Sequence, residues 1–342
     1  MLSCGAQCLT CPFPVHLDTY KGCSHRCVYC SGGMRKDNFG GIKPQRQIQS
    51  LKKHIEGKRN SETAWCDWDI PIHWGAASDP FQECEREHKA SLECLKIFAE
   101  TKYPFIVSTK NPCLLLEEPY LSVIQRCRCL LQISAACPKY DKLEPGAPSY
   151  EKRLAAAREL SDKVPRIIFR VQPYFIDCKE AILEEIPRYA EAGVYDITTC
   201  GFVSSRKQKG MTREGGKYRF ALDILYPHFK ELREVCHNNG LKFFSSEDGL
   251  VHLGDDPACC GTMGLQDFKP NEYNCSDLTY KPDTEPTEAM KAPHTARPFR
   301  SLQQDTPWWN YIYNRSFAEM MEEYREGFAQ WNRQMMERYS KD

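Results

Sequence analysis

A chain of 342 residues suffices for one large or two ordinary domains, and its 41% hydrophobic and 27% charged residues are those of a globular protein. No apolar run approaches the ~20 residues of a membrane span, and no basic-then-apolar segment opens the chain, so a cytoplasmic protein without a membrane partner is expected. Lys plus Arg (46) equals Asp plus Glu (46), which excludes a global field for nucleic acid or anionic surfaces and leaves only local patches.

In chain order, a strand at 16–20 runs into a cysteine-bearing loop and is followed by a helix at about 45–58. A strand at 70–75 precedes a helix from about Glu83 to Thr101, and PFIVST (104–109) precedes LLLEEPYLSVIQR. RCLLQISAA (128–136) leads to a helix capped by Ser149, with Leu154 and Leu160 on its apolar side. RIIFRVQPY (166–174) leads to a helix stopped at Gly193, and YDITTCGF (195–202) to one from about Tyr218 to Asn239. Six β/α units follow one another, with LKFFSSED (241–248) as a further strand. Such alternation predicts an α/β fold with a parallel sheet, and six units suit a partial (β/α)6 barrel with ligands at the C-terminal ends of its strands. Residues 1–13 form an N-terminal cysteine arm, 14–248 the barrel, and 249–342 a loop-rich extension closed by an amphipathic helix at about 314–339.

Nineteen cysteines, an odd number spread through predicted strands and helices, favour metal ligation where they cluster and core packing elsewhere. The loop in HLDTYKGCSHRCVYCSGG (16–33) carries Cys23, Cys27 and Cys30. Three thiolates hold three irons of a [4Fe-4S] cluster and leave the fourth iron open, whereas structural zinc takes four protein ligands. A polar, glycine-flanked loop argues against three merely packed thiols.

This pattern resembles that of the radical S-adenosylmethionine (SAM) superfamily, C-x-x-x-C-x-x-C after the first strand of a partial (β/α)6 barrel, with an aromatic, here Tyr29, before the last cysteine. GAASDPFQECEREHKASLECLKIFAE, VSTKNP and ISAACPKYDKLEPGAPSYEKRLAAARELSD narrow the resemblance to the branch that includes spore photoproduct lyase, over about residues 14–200. The last third does not share it. The resemblance implies a cluster on Cys23, Cys27 and Cys30 that binds SAM, reduced by a reductase, flavodoxin or ferredoxin. One electron then cleaves the S–C5′ bond, and the 5′-deoxyadenosyl radical abstracts hydrogen from the substrate in a lyase- or isomerase-type reaction. It also implies that Ser78 and Asp79 accept hydrogen bonds from the SAM ammonium, that Lys110 pairs with its carboxylate, and that Tyr29, Ser134, Arg170 and Gln172 complete the cofactor contacts. Cys66 and Cys137 are candidate hydrogen-atom donors, by likeness to the cysteine of the lyase.

Cys4, Cys8 and Cys11 repeat the spacing without the aromatic or the preceding strand, and Cys259, Cys260 and Cys275 lie in the extension. Together they are expected to form a second site, an auxiliary iron–sulfur cluster or a zinc ion, tying the arm to the extension. The basic stretch 204–219, with Arg206, Lys207, Lys209 and Arg213, and Arg297 and Arg300 beyond it, reads as a phosphate-contacting surface. With the lyase resemblance it favours DNA, a modified thymine or another nucleobase as substrate. The alternatives are a radical SAM enzyme acting on a peptide or small metabolite, and a non-enzymatic metal-binding protein.

Overall fold

Short runs of β-branched and aromatic residues, bounded by Gly, Pro and Asn, form the strands of a computed structural model that describes residues 2–4, 8–30, 41–45, 47–60, 62–67, 69–214, 216–294 and 314–341. The strands are β1 (Ser3–Cys4), β2 (Val15–Leu17), β3 (Tyr20–Lys21), β4 (Lys43–Pro44), β5 (Ile72–Trp74), β6 (Phe105–Thr109), β7 (Cys129–Ser134), β8 (Arg166–Tyr174), β9 (Asp196–Gly201), β10 (Val203–Ser204), β11 (Met211–Glu214), β12 (Lys217–Phe220) and β13 (Lys242–Ser245). The helices are α1 (Ile48–Ile55), α2 (Glu85–His88), α3 (Ala90–Thr101), α4 (Tyr120–Ile124), α5 (Tyr150–Leu160), α6 (Lys179–Glu191), α7 (Leu222–Asn238), α8 (Cys275–Tyr280), α9 (Glu288–Lys291) and α10 (Phe317–Arg338).

The main sheet has the order β1-β2-β5-β6-β7-β8-β9-β13. Every neighbouring pair from β2 to β13 is parallel, and β1 adds antiparallel to β2, with Cys4 opposite Val15. Spatial order follows chain order, and among the described residues β13 is not bonded back to β1 or β2, so the expected partial barrel is present. LKFFSSED supplies its last strand, β13. Strands covered on both faces read as near-continuous apolar runs, and all five residues of β6 are buried, the polar Ser108 and Thr109 standing at its C-terminal end. Behind them Trp74, Phe81, Phe98 and Phe105 form an aromatic cluster, with Phe98 stacked on Phe105 at 4.1 Å between centroids.

Three local expectations change. The helix from Glu83 to Thr101 is two helices, because Lys89 adopts a left-handed φ of 52° between α2 and α3. Ser149 stands at the N-cap of α5 but makes no side-chain cap bond, although Leu154 and Leu160 are buried as expected. The basic stretch 204–219, with no strand expected in it, carries parts of a three-stranded antiparallel sheet, β10-β12-β11, and α7 begins only at Leu222 instead of about Tyr218. Only Met211 and Phe220 of the β11–β12 pair are buried, so its basic residues stay solvated on the hairpin.

The arm and the extension meet on the barrel. Cys275 N–H donates to the Leu9 carbonyl (2.7 Å) and Asn271 N–H to that of Pro12 (2.8 Å). Ser316 and Glu319 form a capping box that starts α10, and Phe317 stacks on Trp65 at 4.0 Å. No helix among the described residues is long and apolar enough to cross a membrane.

Candidate functional site

The cysteine loop is clamped from two sides. Gln82 accepts from Ser24 N–H (2.7 Å) and donates to the Gly22 carbonyl (3.1 Å). On the other side Val28 N–H donates to Leu143 O (2.9 Å) and Gly146 N–H to His25 O (3.0 Å). Gly146 approaches so closely that a Cβ there would lie 2.3 Å from Ser24 O and 2.8 Å from His25 Cα, which restricts the position to glycine. Cys23, Cys27 and Cys30 are thereby held half-buried, with Cys30 N–H bonded to Cys27 O at 3.1 Å.

Two carboxylates, the half-buried Asp18 and the buried Asp79, order the strand ends around this loop. Asp18 accepts from the backbone N–H groups of Ala77 and Ser78, both at 2.9 Å. Asp79 accepts from Phe81 N–H and the Thr109 hydroxyl at 2.8 Å and from Lys110 N–H at 2.6 Å, and its fourth partner is His25 Nε2 at 2.9 Å. Burial disfavours charge on both partners, yet each overcomes it: Asp79 is held below the usual carboxylate range and His25 above the usual imidazole value by their pairing. Asp79 therefore ties the ends of β5 and β6 to the cysteine loop. Its acceptor positions are engaged internally, which corrects its assignment as a direct acceptor for the SAM ammonium.

These elements enclose a cavity of about 180 Å³ lined by Cys23, Cys27, Cys30, Ser78, Asp79, Lys110, Ser134, Arg170 and Gln172. Lys110 Nζ stands 3.9 Å from Glu144 and 5.7 Å above the Tyr29 ring. The Tyr29 hydroxyl donates to Glu144, whose other oxygen accepts from Arg153 at 2.5 Å. Tyr29 thus lies behind Lys110 and does not line the cavity. Arg170 donates to Ser108 Oγ (3.1 Å), Gln132 Oε1 (2.9 Å) and Gln172 Oε1 (2.6 Å), all neutral oxygens. Burial pushes the Cys23 thiol up to about 11, and the Cys27 thiol up to about 12 against the pull of Lys110.

A second cavity of about 580 Å³ adjoins the first, sharing Ala76, Arg170 and Gln172 with it. His16, His73, Gln132, Thr198, Cys200, Lys217, Ser246 and Cys259 are among the residues that line it. The His16 and His73 rings meet edge-on at 5.6 Å, and burial pushes His16 down to about 4 and His73 well below its usual value, so both are neutral near pH 7.

Of the sequence-predicted residues, the structure gathers the three loop cysteines with Ser78, Asp79, Lys110, Ser134, Arg170 and Gln172. Cys66 and Cys137 line neither cavity: Cys66 is buried 3.8 Å from the Cys4 sulfur, and Cys137 is buried against the Cys178 thiol. The thiols that do face the larger cavity include Cys200 and Cys259, which replace them as candidates for contact with a substrate. Arg206, Lys207, Lys209 and Arg213 are exposed and line neither cavity, while Lys217 lines the larger one. Arg297 and Arg300 lie outside the described residues. Sequence reasoning missed Asp18, His25, Glu144 and the His16–His73 pair; His25, inside the cysteine spacing, and Asp18, at the end of the first strand, stood where a signal was readable.

No family model and no curated protein matches the chain. Among solved structures it is similar to SuiB of Streptococcus suis bound to precursor peptide SuiA, at 12% identity and a TM-score of 0.50, covering 78% of this chain and 56% of that one. Native anSMEcpe with bound AdoMet and Cp18Cys peptide aligns at 13% identity and TM-score 0.44, over 67% of this chain and 62% of that one. The cobalamin-dependent S-adenosylmethionine radical enzyme OxsB aligns at 17% identity and TM-score 0.34, over 51% and 26%. The chain spans just over half the length of the SuiB chain, and at these identities the likeness to SuiB is one of fold.

Proposed function

We propose that the chain is a radical SAM enzyme whose substrate is a peptide or a small metabolite. The observation that carries this reading is one cavity at the C-terminal ends of consecutive parallel strands, lined by Cys23, Cys27 and Cys30 together with Ser78, Lys110, Ser134 and Arg170. The donor set fits a [4Fe-4S] cluster, since three half-buried thiols on one clamped loop suit three irons and leave an open position facing a polar cavity. Bound there, the cluster supplies one-electron reduction of a SAM molecule held at that position.

The remaining work falls to the chain. Lys110 offers an ammonium for the SAM carboxylate, and its link to Glu144 keeps that group near the cavity wall. Ser78 and Ser134 supply hydroxyls at the ends of their strands. Asp79 acts as a positioning residue, fixing the backbone of Lys110 and the ring of His25 in one network. Arg170 and Gln172 stand at the boundary of both cavities, where they orient the reacting end of the cofactor toward the substrate.

A peptide or metabolite is favoured over DNA for two reasons. The larger cavity is lined by two imidazoles, two amides, hydroxyls and thiols, with Arg170 and Lys217 as its cations, a mixed lining that suits a polar side chain or small molecule. Arg206, Lys207, Lys209 and Arg213, on which the DNA reading rests, are exposed and line neither cavity, and a solved structure of similar fold holds a precursor peptide. The test is to load the protein with iron and sulfide under anaerobic conditions, reduce it, add SAM, and follow 5′-deoxyadenosine by mass spectrometry. Peptide, metabolite and thymine-modified DNA panels are then compared. Cofactor cleavage stimulated by peptides or metabolites is expected; cleavage by none of the cluster-loaded samples overturns the enzyme reading, and stimulation by DNA alone overturns the substrate.

A further inference from the structure

The larger cavity does not end at its own wall. Cys11, Ser246 and Cys259 line both it and a narrow space of about 50 Å³. Thr10, Asp248, Phe328 and Trp331 are in turn shared between that neck and an outer cavity of about 460 Å³. Shared wall residues thus link the cavity at the thiol loop, the larger cavity, the neck and the outer cavity into one succession. The outer cavity lies against both the β11–β12 hairpin, through Glu214, Arg219 and Phe220, and α10.

The two ends of this succession differ in charge. Among the described residues the larger cavity has Arg170 and Lys217 as cations and no carboxylate in its lining. The outer cavity carries three carboxylates, Glu214, Glu247 and Asp248, against one cation, Arg219. Arg219 Nε stands 3.6 Å from Glu214 Oε2, so that pair balances itself. Glu247 and Asp248 are left over. Glu247 is 4% exposed, and the Gly201 N–H that its Oε2 accepts at 2.7 Å brings no net charge. Asp248 is exposed where it lines the neck and the outer cavity. Burial first, and then the neighbouring carboxylates, hold both carboxyls above their usual range despite Arg219. The wall is anionic and short of a cation.

The same wall holds two aromatic rings. Phe328 and Trp331 on α10 are partly buried, with centroids 5.9 Å apart. Trp331 packs on Gly249, where a Cβ would lie 3.2 Å from the ring, so its position is set by the fold. Ring faces beside carboxylates suit an organic cation, because the ring quadrupole attracts the charge while its carbon surface covers the alkyl part.

We infer that Glu247, Asp248, Phe328 and Trp331 bind the alkylammonium or guanidinium group of the substrate, at the far end of the passage from the thiol loop. The inference rests on the substrate reading above and narrows it to a peptide or metabolite with a positive charge at one end. The narrow neck suits a slender aliphatic stem such as that of lysine, arginine or a diamine. Arg170 and Lys217 then face the other, polar or anionic end.

The test uses the full chain without SAM or reductant, so it does not depend on cleavage. Binding of the N-acetyl amides of lysine, arginine, norleucine and glutamate, and of putrescine, is followed by ligand-observed NMR. The cations should bind at least about tenfold more tightly than norleucine, the uncharged counterpart of lysine, or glutamate. Asp248→Asn, a change of charge at an exposed position, should weaken cation binding about tenfold. Trp331→Leu should weaken it severalfold and Trp331→Phe restore most of the loss; if the leucine variant unfolds, Asp248→Asn still decides. Glu326→Gln, an exposed carboxylate of α10 that lines neither the neck nor the outer cavity, should leave binding within about twofold. Tighter binding of the lysine amide than of putrescine assigns a peptide source and the reverse a metabolite, and either order upholds the site. Equal binding of the lysine and norleucine amides, or an Asp248→Asn variant that binds as well as the parent, overturns the inference. Cleavage stimulated equally by neutral and basic peptides overturns it as well, while leaving the enzyme reading in place.

Discussion

Two stretches of this chain carry cysteines at the same spacing, and the fold treats them in opposite ways. Cys23, Cys27 and Cys30 are half-buried on a loop clamped at the strand ends and open onto a polar cavity with a lysine. Cys4 is sealed in the core beside Cys66, and Cys8 and Cys11 line the larger cavity, away from that lysine. The difference shows that spacing selects which thiols can act together, while placement decides what they can do. An open, polar surrounding leaves room for an exchangeable ligand, and a closed one leaves a thiol to packing.

The sharpest way to break this comparison is one substitution on each side. Cys27→Ala should lower 5′-deoxyadenosine formation by ~10³-fold or more with an unchanged melting curve. Cys4→Ala should do the reverse, lowering stability by about 1–3 kcal/mol while SAM cleavage per folded molecule persists. If both variants lose activity and keep their stability, the two sets share one role and the contrast fails.

Next come the groups that separate holding a ligand from holding the loop. Asp79→Asn leaves the buried His25 without its counter-charge, and a loss of about 3 kcal/mol is expected in denaturant titrations. Lys110→Gln should leave stability nearly unchanged and weaken SAM binding roughly tenfold to a hundredfold, read by calorimetry, because one charge-assisted contact is lost.

A smaller effect tests the barrel wall that faces neither thiol loop. Asp196 is fully buried, neither of its oxygens has a hydrogen-bond partner, and burial holds its pKa well above 3.8. Above that value the unfolded chain releases the proton and the folded chain keeps it, so stability falls as pH rises. Asp196→Asn should flatten this slope above about pH 4 in denaturant midpoints. Gly261, with φ of 70°, would place a Cβ 2.2 Å from Asp196 Oδ2, so alanine there should be poorly tolerated.

The smallest effect is expected at the exposed turn. Alanine at Arg206, Lys207 and Lys209 should change stability by less than about 0.5 kcal/mol and leave peptide-stimulated SAM cleavage within about twofold. Loss of DNA binding with a salt slope flattened by roughly one unit per residue would instead restore a nucleic-acid role to this face.

Much of the architecture was legible because its signals are local. Alternating apolar strands and helices implied a parallel sheet, since parallel strands need crossovers, and the strand order follows the chain. The loop spacing marked Cys23, Cys27 and Cys30, and strand-end placement marked Ser78, Lys110 and Ser134, all found on one cavity. The hairpin β11–β12 was not among the expected strands because Gly and Lys at 209–217 carry no strand signal until a partner strand supplies hydrogen bonds.

The sequence by itself determined the α/β class, the succession of strands and the thiol loop, because each depends on neighbours a few residues apart. Only the tertiary structure decided that Asp79 spends its oxygens on Lys110, Thr109, Phe81 and His25, and that Cys66 belongs with the arm's cysteines and not in a cavity. It also decided that His16 and His73 face one another across paired strands. Such choices rest on contacts between residues dozens of positions apart, whose energies depend on burial and distance, and neither quantity exists until the chain has folded.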